Sequence, residues 1–174
     1  MYRLIFAALL LLAACGGGRE PDRRITFRDR EVPIYSNAVM TMGQLQGEWQ
    51  QVGAFTAGRG GCAPGRVSFG APQGAAIPLQ ADLCLNGAPA RVAGLAQAPV
   101  PGRLIPPGGE GPGIGQPWWV LWADVDLRTL VIGTPSGEMG FILNRGGPLP
   151  QDRLVAAREI LEWNGYDLNR LQLF

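Results

Sequence analysis

The sequence predicts an all-β domain that ends in a single helix, and two observations predict it. From about residue 47 to residue 145, short apolar runs alternate with clusters of glycine and proline, which is typical of β-strands joined by turns. After Arg145 the apolar spacing changes to the three- and four-residue period of a helix. With 174 residues, 47% of them hydrophobic, the chain is long enough to bury one core.

Eight strands are predicted in consecutive order. They are EWQQVGAF, GRVSFG, IPLQADLCL, ARVAGLAQ, GRLIP, PWWVLWAD, TLVIGT and MGFILNR. Strands in this order close into an up-and-down barrel or pack as a two-sheet sandwich, and the pattern alone does not separate the two. The connection at residues 106–117, PPGGEGPGIGQP, is too rich in glycine and proline for regular structure, and we expect a mobile loop there.

One amphipathic helix is predicted in PLPQDRLVAAREILEWNG, residues 148–165. Its apolar stripe consists of Leu154, Ala157, Ile160 and Leu161. Pro150 suits the first helical turn, and Gly165 suits the position just past the end. The segment LNRLQLF that follows predicts a short final strand.

The N-terminus has the pattern of a secretory signal, with a basic start, the apolar run LIFAALLLL and then small residues. That run is too short to span a bilayer as a helix, which takes about 20 residues. LAAC, ending at Cys15, resembles the bacterial lipobox, which implies a signal peptide at residues 1–14 and a lipidated Cys15. The resemblance also implies an outer-membrane anchor facing the periplasm, because Gly16 replaces the acidic residue associated with retention at the inner membrane. A soluble secreted protein with an unmodified cysteine is the alternative.

Residues 15–41 mix glycines with dense charge of both signs, including five arginines and four acidic residues between Arg19 and Glu31. We expect a solvated tether that holds the domain at residues 42–174 off the membrane, rather than a specific recognition arm. Its apolar end, at residues 32–35, can pack back on the domain.

Two cysteines remain after Cys15, and an even pair in an oxidising compartment is most simply a disulfide between Cys62 and Cys84. A free reactive thiol is the alternative. Closing a loop of this length would stabilise the fold by about 3 kcal/mol in the chain-entropy model.

Composition excludes several classes of function. The sequence has no histidine, which removes Ser–His–Asp and Cys–His nucleophilic sites and every imidazole metal site. The net charge is +1 and the arginines are spread among 14 acidic residues, so no nucleic-acid surface is indicated. We therefore predict no cofactor and no metal.

Three ordered motifs between residues 42 and 174 carry a resemblance to the bacterial lipocalins. GEW, Gly47 to Trp49, resembles the G-x-W motif that opens the lipocalin barrel. WWVLWADVDLRTLVIGTP resembles the segment in which an aspartate ends one strand and a Gly/Pro turn ends the next. GFILNR resembles the last-strand motif whose arginine, here Arg145, packs over the tryptophan of the first motif.

The resemblance implies a lipocalin-like calyx, which is an eight-stranded antiparallel up-and-down barrel with a C-terminal helix and a short final strand. One departure is visible, because the usual Thr-Asp-Tyr of the second motif is Ala123, Asp124 and Val125 here. This departure argues against receptor binding through that motif.

Strand alternation, oriented by this resemblance, assigns the faces of the sixth strand. Trp118, Val120, Trp122 and Asp124 are placed inward, and Trp119, Leu121 and Ala123 outward. The predicted ligand-binding residues are Trp118, Val120, Val131, Met139, Phe141 and Leu143. The predicted structural base of the barrel consists of Gly47, Trp49, Trp122 and Arg145. Plain core packing is the alternative for the ligand-binding set, because side chains can fill an eight-stranded barrel.

These residues lead to one main hypothesis, a membrane-anchored lipocalin that binds a small lipophilic ligand, of the fatty acid or lysophospholipid class, for storage or transport in the cell envelope. We expect no enzyme activity. A filled barrel acting through its surface as a structural or stress-related lipoprotein is one alternative. A lipid-modifying enzyme is the other, in which Cys62 or Cys84 would serve as nucleophile without a histidine to activate it. The oligomeric state stays open.

Overall fold

A closed antiparallel barrel of eight strands forms the body of the protein in the computed structural model, which describes residues 25–58 and 61–174. Each strand pairs with the next, and β1 pairs with both β2 and β8, so that the sheet closes on itself. All eight predicted strands are confirmed, and the architecture is a barrel rather than a sandwich. The strands are β1 (Gly47–Phe55), β2 (Arg66–Phe69), β3 (Ala76–Leu85), β4 (Ala88–Val100), β5 (Arg103–Ile105), β6 (Trp118–Ala123), β7 (Thr129–Gly133) and β8 (Gly140–Asn144).

Within residues 25–58 and 61–174, two helices and one further strand complete the fold. A single turn, α1 (Met42–Leu45), precedes the barrel, and α2 (Gln151–Trp163) follows it. After a 3-10 turn at Leu168–Arg170, the chain ends in β9 (Leu171–Leu173), which pairs antiparallel with β1. The predicted helix and final strand are both confirmed.

Most buried hydrophobic residues of the described chain form two clusters, one on each side of the barrel wall. The outer cluster lies between the wall and α2 and consists of Phe27, Phe55, Leu121, Val131, Ile142, Ala157, Leu161 and Tyr166. The interior cluster lies inside the barrel and consists of Met40, Leu45, Trp49, Ala54, Val67, Phe69, Ile77, Leu79, Ala81, Leu83, Leu85, Ala90, Val92, Ala96, Leu104, Ile114, Trp118, Val120, Leu130, Ile132, Met139, Phe141 and Leu143.

The two ends of the barrel are different. At one end, which we call the base, α1 packs under Trp49 and the turn between β6 and β7 approaches the end of β8. At the other end, the mouth, lie the connections β1–β2, β3–β4, β5–β6 and β7–β8. The helix α2 spans the wall from base to mouth: Arg153 in its first turn reaches the β6–β7 turn, and Tyr166 just beyond it reaches the β7–β8 connection.

Residues 27–40 pack along the barrel rather than forming the predicted solvated tether. Phe27 belongs to the outer cluster and its amide donates to the carbonyl of Gly137 at the mouth. Arg28 is buried, and its Nε donates to the carbonyl of Asn164 at 3.0 Å. The segment then reaches the base, where Met40 joins the interior cluster. The alternating charges predicted that this segment would be solvated, but the buried Arg28 side chain donates to backbone carbonyls instead of water.

The predicted signal peptide at residues 1–14, the lipidated Cys15 and the start of the tether lie outside the described residues. In the part of the chain that is described, no helix has the length and apolar character needed to cross a membrane.

Candidate ligand-binding barrel

A cation–π pair closes the base of the barrel. The guanidinium of Arg145 lies 4.1 Å from the ring centroid of Trp49, which is fully buried. Arg145 Nε donates to the carbonyl of Leu127 at 2.7 Å, and Nη1 donates to that of Gln46 at 2.9 Å. One side chain therefore joins the end of β8, the β6–β7 turn and the start of β1. Such a pair contributes about 0.5–1 kcal/mol when the cation is solvent-exposed and about 2 kcal/mol when it is desolvated, and the half-buried Arg145 lies between these cases.

Five of the predicted ligand-binding residues lie together inside the barrel, on β6, on β8 and just before β8. All five belong to the interior cluster: Trp118, Val120, Met139, Phe141 and Leu143. Trp118 and Phe141 meet edge to face, with ring centroids 5.1 Å apart and planes at 81°. This is the geometry that aromatic quadrupoles favour. Their contact with a ligand stays a prediction.

Val131 and Trp122 do not lie inside, and the assignment of both to the inward face is wrong. Val131 belongs to the outer cluster because its neighbours on β7, Leu130 and Ile132, take the inward positions. A β-bulge at Leu121 shifts the register of β6 between Val120 and Trp122. After this bulge two consecutive side chains, Leu121 and Trp122, face α2.

Asp124, also expected inward, points to the outside at the end of β6. Its Oδ1 accepts from the amides of Arg128 and Thr129, which forms the β6–β7 turn. Its Oδ2 lies 3.2 Å from Nε of Arg153 on α2. Burial lowers the pKa of Arg145 nearby, and the Asp124 carboxylate opposes that shift. Asp124 therefore organises the turn and fastens the helix to the base.

The segment at residues 106–117, which we call the lid loop, covers the mouth and is tied to it. Glu110 and Arg91 of β4 exchange both backbone hydrogen bonds, at 2.7 and 2.8 Å. The Ile114 side chain is fully buried in the interior cluster, and its carbonyl accepts from Trp118 Nε1 at 2.9 Å. Its glycines and prolines allow it to lie flat across the opening, and its mobility stays a prediction.

Two glycines of the lid loop show why this composition is needed. A Cβ on Gly111 would lie 2.5 Å from the carbonyl oxygen of Pro89, and one on Gly113 would lie 3.1 Å from Cβ of Met139. Both glycines also have positive φ, at +103° and +67°, which other residues rarely adopt. The loop thus approaches the barrel rim at backbone contact distance.

The predicted disulfide is present and lies at the mouth. Cys62 of the β1–β2 connection bonds to Cys84 of β3, with the Cα atoms 5.6 Å apart. Beside it the buried Gln51 donates from Nε2 to the carbonyl of Cys84, and its Oε1 accepts from the amides of Cys84 and Gly65. Neither Cys62 nor Cys84 is available as a thiol nucleophile.

Gln51, Ile114 and Arg28 were not singled out by the sequence reasoning. A lone apolar residue in a glycine-rich loop, such as Ile114, is the one signal that would have indicated an inserted side chain. Gln51 and Arg28 give no such signal, because their side chains bond to backbone atoms that are distant in the sequence.

Several concave sites of the described chain lie outside the barrel. Two of them, of about 540 and 530 Å³, are lined by the β1–β2 connection with β9 and by the outer face of β2, β3 and β4. A third, of about 290 Å³, lies between Asp124 and Arg153. Large side chains occupy the interior itself, among them Trp49, Phe69, Trp118 and Phe141, each no more than 2% exposed.

Comparisons with known proteins agree with this architecture. A family model for a lipocalin-like domain matches residues 110–174, which run from the lid loop to the end of the chain. Among solved structures, apocrustacyanin C2 is similar with a TM-score of 0.50 and 13% identity, over 75% of this chain and 77% of that chain. No curated protein matches the sequence at a significant level.

The closed eight-stranded barrel, the helix after it and the added strand define the lipocalin fold. The family model for a lipocalin-like domain matches the last 65 residues of this barrel protein, and the structural similarity concerns the fold.

Proposed function

We propose that this protein is a membrane-anchored lipocalin that binds a lipophilic ligand of the fatty acid or lysophospholipid class beneath the lid loop. In this proposal Cys15 carries the lipid anchor and the protein stores or transports the ligand at the periplasmic face of the outer membrane. The observation that carries it is the insertion of Ile114 through the mouth into an apolar interior. In this proposal the Ile114 side chain of the lid loop occupies the position that the acyl chain of the ligand would take.

The replacement of Ile114 by an acyl chain supports entry at the mouth. Opening the lid loop would break its two backbone hydrogen bonds with Arg91 and the bond from Trp118 Nε1 to the Ile114 carbonyl. It would also expose Ile114, and full burial of such a side chain contributes about 1.5–3 kcal/mol. An acyl chain that replaces it buries more methylenes at about 0.8 kcal/mol each.

Quenching of tryptophan by a brominated fatty acid tests the site. Bromine quenches at short range, so we expect titration to quench the wild-type protein through Trp118, which lies below Ile114. In Trp118→Phe most of this quenching should be lost. The matched control is Trp122→Phe, the same change on the same strand but on the outer face. Saturable quenching that is equal in the two variants would place the ligand elsewhere, and no saturable quenching would exclude binding.

A filled barrel that acts through its surface is the second candidate. The observation that favours it is that several concave sites lie outside the barrel while the interior is packed with large side chains. Against it, the outward residues of β6 are not free to act, because Leu121 is buried under α2 and Trp119 is covered by the Arg103 guanidinium at 3.8 Å. Lipid extraction from purified protein separates the candidates, since a filled barrel carries no lipid in stoichiometric amount.

A further inference from the structure

The path of the N-terminal segment determines which end of the barrel lies nearest the proposed anchor. The described chain begins at Ile25, and Phe27 immediately bonds to Gly137 in the β7–β8 connection at the mouth. Thr26 Oγ1 also donates to the carbonyl of Ser136 in the same connection. The lid loop adjoins this place, because Gly113 packs against Met139. A chain coming from Cys15 therefore meets the barrel beside the lid loop.

The position of Phe27 favours the mouth over the base as the membrane-facing end. Cys15 lies twelve positions before Phe27 in the sequence. The nine residues of β1 span about 30 Å along the strand, and strands in such barrels tilt by about 35–45°, so the wall is about 20–25 Å high. A base that met the bilayer would require the chain from Cys15 to cover this height in addition, whereas docking at the mouth requires no such path.

An exposed aromatic pair lies on the same end. Trp163 is 67% exposed and Tyr35 is 56% exposed, and their rings stack with centroids 5.9 Å apart. They lie at the C-terminal end of α2, where Asn164 binds both the Arg28 side chain and the Tyr35 amide. Tryptophan and tyrosine are favoured at the boundary between headgroups and acyl chains, because their rings are apolar and their polar atoms stay hydrated.

We propose that the mouth of the barrel docks on the phospholipid bilayer, with the Tyr35–Trp163 pair at the headgroup level and the lid loop facing the lipid. This inference rests on the proposed lipid anchor at Cys15. It gives the lipophilic ligand a direct path between the bilayer and the barrel, and it leaves the base and the β6–β7 turn facing the aqueous compartment.

Site-specific fluorescence on the full-length lipidated protein in phospholipid vesicles tests the orientation. An environment-sensitive label is attached to Glu110→Cys on the lid loop or to Val125→Cys on the β6–β7 turn, where Val125 is 98% exposed. With Cys15 acylated and Cys62 and Cys84 joined, the label has one thiol to react with. We expect nitroxide-labelled lipids to quench the label at position 110 several-fold more than the label at position 125. Equal quenching, or more at position 125, would overturn the orientation.

The aromatic pair is tested by Trp163→Ser, with Val155→Ser as the control on an exposed position of the same helix nearer the base. Quenching at position 110 should fall in Trp163→Ser and stay at the wild-type level in Val155→Ser. An unchanged value in Trp163→Ser would overturn the role of the pair.

Vesicle flotation separates the two proposals. Protein that does not float overturns the anchor and the docking together, whereas protein that floats with its base quenched overturns the docking alone.

Discussion

At the scale of single residues, Tyr166, just beyond α2, contacts both the β7–β8 connection and Phe55 of β1. Its hydroxyl donates to the carbonyl of Met139 at 2.9 Å and accepts from the amide of Thr134 at 2.8 Å, so it spans the β7–β8 connection. Its ring packs 4.8 Å from that of Phe55 in the outer cluster. Burial raises the pKa of Tyr166 strongly, and the hydrogen bond with Thr134 and the charge of Arg28 oppose the shift only in part.

This raised pKa predicts a loss of stability at alkaline pH. The unfolded protein releases the tyrosine proton at about pH 10, below the folded value, so the stabilisation is complete below pH 10 and is lost as the pH rises further. The sequence has no lysine, so few other groups titrate there. Urea unfolding of Tyr166→Phe should show a free energy of unfolding about 1–3 kcal/mol lower at neutral pH, with a weaker decline between pH 9 and pH 11.

The exposed Tyr35 provides the control for this measurement. Tyr35→Phe should keep both the neutral-pH stability and the alkaline decline of the wild-type protein. A decline in Tyr166→Phe as steep as that of the wild type would show that another group causes it.

Single residues also show which side-chain positions could be predicted from the sequence and which could not. The pairing of Arg145 with Trp49 was predictable, because short motifs at the ends of two strands carry it. The inward assignment of Trp122 failed because alternation has a strict period of two, and the bulge at Leu121 inserts one residue. Such a bulge leaves no signal in a strand that is apolar on both faces.

At the scale of elements, the strands and α2 were predictable because each has its own period of apolar residues and its own turn signals. The lid loop and residues 27–40 were not. Their order comes from contacts with distant parts of the chain, such as Glu110 with Arg91 and Phe27 with Gly137. Composition indicates how a segment behaves in isolation, whereas the lid loop and residues 27–40 are ordered by hydrogen bonds and packing against the barrel.

The lid loop also allows a direct test of ligand entry. Arg91 and Glu110 face each other as a hydrogen-bonded antiparallel pair, for which the Cα atoms are typically about 5.5 Å apart, a distance that suits a disulfide. In the double variant Arg91→Cys/Glu110→Cys, oxidation should close the lid loop and slow fatty acid binding at least about tenfold, which corresponds to about 1.4 kcal/mol in the barrier. Stopped-flow binding before and after reduction measures this.

Two controls keep this test specific. The wild-type protein under the same reductant reports any effect of opening the native disulfide, and each single variant reports the loss of one side chain. Recovery of the wild-type rate after reduction of the double variant would support entry under the lid loop. An oxidised double variant that binds as fast as the wild type would exclude it.

At the scale of the whole molecule, the barrel closes in a different way at each end. Near the base, β1 pairs with β2 through residues 47–50, whereas toward the mouth β9 takes the place of β2 beside β1. The Gln51 side chain bridges the gap that opens between β1 and β3, and the Cys62–Cys84 disulfide joins the β1–β2 connection to β3 beside it. Closure of the barrel at the mouth therefore depends on covalent and side-chain links in addition to the β-ladder.

This arrangement predicts that removing the disulfide weakens the fold without abolishing it. Cys62→Ser/Cys84→Ser should lower the free energy of unfolding by about 3 kcal/mol, since the unfolded chain regains the freedom of a 22-residue loop while Gln51 still bridges β1 and β3. Urea unfolding of the double variant and of the reduced wild type should give the same midpoint, and adding Gln51→Ala should lower the midpoint further. If the double variant instead matched the oxidised wild type, the ladder and Gln51 alone would close the mouth, and the disulfide would add nothing to the stability of the barrel.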